Sequence, residues 1–245
     1  MKRLPLWLLA CGGLLPAFAH AQQQFAVGPR VGMNMGTFHN LNGFGPRYSY
    51  KAGLETGVMA ACEHRHFAVQ PAVLFSQKGY ISHADAVLSG SGKSVPNFKE
   101  EVRLNYVALA VNLAYAPAHS GQGFQVFVGP YLGALVGGHR VVDDLMAYPQ
   151  PVEIRTRVAG GGQPYPLVDR TYYSQRLDAG VQVGLGYRAG PLLVQAGYSW
   201  GLRNLTPPVV DENNNIIAPS GFPSYSRAFQ ASCAYLWSRN AQSTP

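Results

Sequence analysis

The chain has 245 residues, of which 47% are hydrophobic and only 13% charged, enough for one domain of ordinary size without requiring two. Its 28 glycines, 18 prolines and 14 tyrosines favour turns and strands over long helices, so an all-β fold is the expectation. The formal charge falls from +7 to +5 once Lys2 and Arg3 are removed, and no Lys/Arg run follows, which gives no basis for nucleic-acid binding.

Residues 1–21 read as a secretory signal peptide. Lys2 and Arg3 form the positive segment, residues 4–18 the apolar run, and Ala19-His20-Ala21 the small-x-small cleavage site, so the mature chain is expected to begin at Gln22. A rival reading takes Leu8-Leu9-Ala10-Cys11 as a lipoprotein box, but it leaves too short an apolar run before the cysteine and strands another after it. Beyond the leader no stretch of about 18 apolar residues remains, which excludes a transmembrane helix. A closed barrel can still cross a bilayer, because each backbone group pairs with a neighbouring strand.

The pattern of such a barrel runs through the chain. Residues 25–37 alternate, with Val27, Val31, Met33 and Met35 opposing Gly28, Arg30, Gly32 and Asn34. The same period recurs in 50–63, 67–80, 102–116 and 124–136. It is cleanest in 173–187, where Leu177, Ala179, Val181, Val183 and Leu185 oppose Asp178, Gly180, Gln182 and Gly184. Residues 192–203 and 225–237 complete eight strands of transmembrane length, about 9–11 residues or more each. The polar-or-small parity carries Arg30, Glu55, Arg176, Asp178 and Arg203, charges better placed in a polar lumen than on a solvated sheet, so the apolar parity is expected to face lipid. A soluble sandwich or lipocalin-like binder would invert that parity.

Connections alternate short (63–66, 116–123, 188–191) with long (38–49, 81–99, 137–171, 206–224). This is the rhythm of short periplasmic turns and long extracellular loops, and an even strand number puts both termini in the periplasm. The expected fold is therefore an eight-stranded, antiparallel, up-and-down transmembrane β-barrel over residues 22–237, with 238–245 as a short periplasmic extension. Tyr235-Leu236-Trp237 ends the last strand in aromatics at period two, as a signal for the barrel-assembly machinery does, although Ser232 stands where that signal usually has glycine.

Several segments resemble the PorT-like outer-membrane β-barrel proteins of Gram-negative bacteria: Val69-Gln70-Pro71, Leu74-Phe75-Ser76-Gln77-Lys78-Gly79, Asn105-Tyr106-Val107, Gly129-Pro130-Tyr131-Leu132-Gly133, and a tail of Asp178, Gly180, Gly184, Gly186, Tyr187, Tyr198, Gly201-Leu202 and Asn204. The resemblance implies an outer-membrane location and the barrel fold. It departs at Ala72, Ala108 and Ala110, where relatives carry carboxylates or proline, and no secretion role is carried over.

No catalytic set, metal site or cofactor is expected. His64-Arg65-His66 offers two imidazoles without a carboxylate or cysteine array, and Asp211-Glu212-Asn213-Asn214-Asn215 begins like a calcium loop but lacks its glycine and distant glutamate. The expected role is non-enzymatic: a barrel embedded in outer-membrane lipid whose long loops present Tyr148, Tyr165, Tyr172, Phe222 and Tyr225 to an extracellular protein or glycan. The alternatives are a narrow solute channel or transport or secretion accessory, and a membrane-embedded hydrolase or acyltransferase. Cys62 and Cys233 fall on strands separated by the first strand, about 9–10 Å apart, beyond the reach of a disulfide. The mature protein, denatured without reductant, should take up one alkyl group on each cysteine by mass spectrometry; an unmodified pair would contradict the strand order.

Overall fold

The computed structural model describes residues 24–40, 47–87, 94–118, 121–144, 152–165, 171–219 and 221–239. The proposed leader, residues 1–21, lies outside them. The strands in chain order are β1 (Gln24–Asn40), β2 (Arg47–His64), β3 (Phe67–Val87), β4 (Ser94–Tyr115), β5 (Gly123–Asp144), β6 (Val152–Gly160), β7 (Gln163–Pro164), β8 (Tyr172–Ser174), β9 (Leu177–Ala189), β10 (Leu192–Gly201), β11 (Val209–Val210), β12 (Ile216–Ala218), β13 (Ser224–Tyr235) and β14 (Trp237–Arg239).

Eight of these close a ring: β1, β2, β3, β4, β5, β9, β10 and β13, each antiparallel to its neighbours, with β13 returning to β1. The register fixes the geometry. Partners followed once around run Phe25, Cys62, Val69, Leu113, Val128, Val183, Tyr198, Phe229 and back to β1 at Met35, ten residues beyond the start. Eight strands with that offset tilt about 40° from the barrel axis, the inclination usual for such barrels.

Alternation divides the side chains as expected. Val31, Met33, Leu54, Val58, Val73, Val128 and Val194 are all half or more exposed on the outer surface, an apolar expanse that only lipid would cover. Aromatic pairs rim it: Phe67–Tyr115 and Tyr235–Trp237 at the end of the short turns, Tyr50–Phe229, Tyr198–Phe229 and Tyr198–Trp200 toward the long loops. Cys62 and Cys233 are both free, on this outer parity.

Inward glycines leave room for rings. A Cβ on Gly184 would stand 2.5 Å from Phe127 Cζ, and one on Gly180 would stand 2.8 Å from Tyr131 Cε1, so each glycine is the floor on which an aromatic side chain lies. At the short-turn end, Arg65 adopts φ 54° in the two-residue link between β2 and β3, while Gly190 takes φ 59° between β9 and β10 at no steric cost.

Three boundaries differ from the sequence reading. Strands β3, β4 and β5 run 21, 22 and 22 residues, about twice what the membrane needs, so 81–99 and 137–171 are partly sheet that stands out beyond the bilayer. The sixth barrel strand begins at Leu177 rather than Tyr173, because Tyr172–Ser174 leaves the wall to pair in parallel with β6. The last strand does not end at Trp237: β14 continues the β13 register on β1, Val27 opposite Trp237 and Phe25 opposite Arg239, so the C-terminal extension loses its first two residues to the ladder.

Candidate functional site

Two places gather polar chemistry: the lumen and the extracellular cap. The lumen is filled from end to end. At the periplasmic mouth Arg188 of β9 forms an ion pair with Glu63 of β2, four strands away and thus directly opposite. Above it Ala26, Met59, Ala61, Leu193, Ala234 and Leu236 pack as an apolar layer. Gln195 Nε2 then donates to Gln70 Oε1 at 2.9 Å across the full diameter, and Gln70 Nε2 donates to Gln125 Oε1 at 2.7 Å.

Charged pairs follow. Arg30 Nη2 lies 3.1 Å from Glu55 Oε1, and both are almost wholly buried. Lys78 Nζ lies 2.7 Å from Asp178 Oδ2, Tyr131 donates its hydroxyl to Asp178 Oδ1 at 3.3 Å, and the ammonium sits 4.1 Å over the Tyr131 ring. Gln182 donates to Asn112 and Asn34 to Ser76. The extracellular mouth is stoppered by Phe38, Tyr80, Val102, Leu104, Tyr106, Val158 and Leu205. Most of these polar groups lie between two apolar plugs and bond to one another there, while Arg30 Nε and Nη1, Asn34 Oδ1, Gln125 Nε2 and Gln195 Oε1 are buried without a partner.

Of the five residues expected inside, Arg30, Glu55 and Asp178 are in the lumen and two are not. Arg176 is exposed, because the chain departs from the wall just before β9; its Nε donates to Gly160 O at 2.9 Å and braces the β6–β8 fork. Arg203 is exposed past the end of β10. Lys78 escaped the sequence reading although it shares the parity of Gln70, Ala72, Leu74 and Ser76; extending that alternation to the charged end of the strand would have found it. Glu63 and Arg188 escaped because both stand beside turns, where charge is ordinarily solvated.

The cap knits the two longest loops together. β7 pairs in parallel with β11, which pairs with β12, and Gln163 N donates to Pro208 O and Tyr165 N to Val210 O. Asn204 Oδ1 accepts from the N–H groups of Thr206 and Ser224, tying the return into β13. Tyr172 is not displayed: its hydroxyl meets that of Tyr80 at 3.0 Å against the upper plug. Tyr165 and Phe222 are 67% and 61% exposed, beside exposed Ile216 and Ile217; Tyr225 is half-buried, and Tyr148 lies outside the described residues.

The calcium-like segment turns inward on itself. Asp211 Oδ1 accepts from the N–H groups of Asn213 and Asn215, and Oδ2 from the Asn215 side-chain amide, an Asx turn that leaves Asn214 at φ 66°. Bonds from Asn215 and Asn213 hold the Asp211 carboxyl below the usual carboxylate range. At the opposite end His66 Nδ1 lies 3.2 Å from Ala116 O, a turn-to-turn contact. Among the described residues no three His, Cys, Asp or Glu side chains converge on a point.

A family model described as Outer membrane protein beta-barrel domain matches residues 20–206. Among solved structures the chain is similar to Neisserial surface protein A, at 10% identity and a TM-score of 0.40 over 86% of this chain and 96% of that one. It is also similar to Ail, the attachment invasion locus protein of Yersinia pestis, at 9% identity and a TM-score of 0.37 over 89% of this chain and all of that one. No curated protein sequence matches it.

The Lys78–Asp178 pair tests the lumen assignment. Lys78→Met should cost about 3–5 kcal/mol in urea unfolding from lipid vesicles, because Asp178 is left as an uncompensated buried charge, whereas Lys78→Met with Asp178→Leu should recover much of that loss. Equal losses in the single and double variants would contradict a direct pairing.

Proposed function

The chain belongs to the outer membrane protein beta-barrel domain family and lies in the outer membrane; on that premise we propose that it is a non-enzymatic, non-conducting barrel that displays a structured cap to an extracellular protein or glycan. The observation that carries this reading is the pairing of β7 with β11, which converts two long loops into one small sheet held over the upper plug. A rigid cap binds at lower entropic cost than free loop tips. Its exposed Tyr165, Phe222, Ile216 and Ile217 supply apolar area in a place no lipid reaches.

The PorT-like subgroup belongs to the proposal too, supported by the motifs at 69–79, 105–107 and 129–133, and so does dependence on the barrel-assembly machinery through the aromatic end of β13 and β14. Neither implies a secretion role. Against a pore stand the two plugs and the cross-lumen bonds, which occupy the space that a solute would need.

Deleting 137–171 outright would remove the outer third of β5, so the cap is better tested at single positions. A photo-crosslinking residue in place of Tyr165 or Phe222 on intact cells should capture a discrete partner, and one in place of lipid-facing Val128 should not. Absence of adducts from both cap positions, or the same adducts from all three, would contradict the interaction role.

A further inference from the structure

Where β4, β5 and β6 emerge from the bilayer, their outward side chains form register rows. Arg103 stands opposite His139, and His139 opposite Arg157. The next row outward is Glu101, Val141 and Arg155, and the one beyond it Lys99, Asp143 and Glu153. The two outer rows reach zero net charge once Lys51 of β2 is counted: Glu101 pairs with Lys51, and Arg155 Nε lies 2.5 Å from Glu153 Oε1. The innermost row does not. Among the described residues no side-chain hydrogen bond or ion pair is made by Arg103, His139 or Arg157, although the Glu101 carboxylate of the next row interacts with Arg103 and His139 at longer range, and Arg103 Nε is buried without a partner. Arg157 and His139 are exposed.

That unbalanced row is the one nearest the lipid. Val107, the outward apolar residue of β4 next below Arg103, is four residues away, about 10 Å along the barrel axis for a strand tilted as these are, with Asn105 between. The polar layer of a bilayer is about 5–8 Å deep on each side, and an arginine side chain spans the remainder by reaching down. Three neighbouring strands set the three side chains about 10 Å from first to last, the spread of a phosphorylated headgroup rather than of a single small ion.

We propose that Arg103, His139 and Arg157 form a binding site for the phosphates of an anionic lipid headgroup in the outer leaflet, seated against the outer wall of β4, β5 and β6. The site rests on the outer-membrane location and not on the interaction role of the cap, so either can fail without the other. The guanidinium groups of Arg103 and Arg157 each present a planar fork of donors to phosphate oxygens, and the adjoining apolar wall receives the acyl chains. Charge balance in the rows further out confines the attraction to headgroup height.

The test uses the full mature protein refolded in a zwitterionic detergent and titrated with diphosphoryl lipid A, monophosphoryl lipid A and inorganic phosphate, with bound lipid read by native mass spectrometry. Diphosphoryl lipid should be retained most strongly. Arg103→Gln with Arg157→Gln should weaken its retention roughly 20- to 30-fold, from about 1 kcal/mol per cation near an anionic lipid surface. Arg155→Gln, in a balanced row, should change it little. Each variant is confirmed as folded by its heat-dependent gel shift. Equal retention by the folded double variant, or by diphosphoryl and monophosphoryl lipid, would overturn the site, and competition by inorganic phosphate at matched concentration would show a general anion site and overturn the lipid assignment.

Discussion

Backbone hydrogen bonding inside hydrocarbon is the constraint from which the rest of this structure follows. A strand in lipid has no water to satisfy an unpaired edge, so the sheet must close, and it closes here with eight strands and an offset of ten residues. Those two integers set the tilt and a backbone-to-backbone diameter of about 16 Å. Gln195 and Gln70, end to end with one hydrogen bond between them, span it. The interior is thus a place for packed side chains, and its chemistry is decided by how buried polar groups find partners.

Some partners lie along the wall, as Arg30 and Glu55 do on neighbouring strands, and others reach across the lumen. Lys78 reaches Asp178 over three strand spacings, Glu63 reaches Arg188 over four, and the glutamine relay joins β3, β5 and β10. Bonds of this kind resist any widening of the barrel, because each would have to be broken before opposite walls could part. The apolar plugs at both mouths exclude the water that would otherwise compete for the same donors and acceptors. Rigidity then extends outward: Val158 and Leu205 belong at once to the upper plug and to the segments that carry the cap, which couples the order of the lumen to that of the extracellular surface.

Much of this was legible in the chain, and for a physical reason. Period-two alternation reports directly on which residues face lipid, so Val31, Leu54, Val128 and Val194 could be assigned outward and Arg30, Glu55 and Asp178 inward before any coordinates. Alternation stops being informative once both faces of a strand meet water. The outer third of β3, β4 and β5 therefore carries no strand signal in the sequence, and Lys78, near the transition, does not stand out there. Arg176 and Arg203 carried the right parity in sequence but stand where the wall has ended, a fact set by the β6–β8 pairing that no local pattern encodes. The cap's β7–β11 contact joins residues some 46 positions apart through two-residue strands, too short to leave any period.

Single-channel recording in planar bilayers tests the filled lumen most directly. The account predicts that the purified, folded barrel inserts without producing resolvable conductance steps, while simultaneous truncation of Lys78, Asp178, Phe38 and Tyr80 to alanine, in a variant that still folds, introduces them. Regular ohmic steps from the unaltered protein would contradict the account, because they would require a continuous aqueous path through the two plugs and the bonds between them.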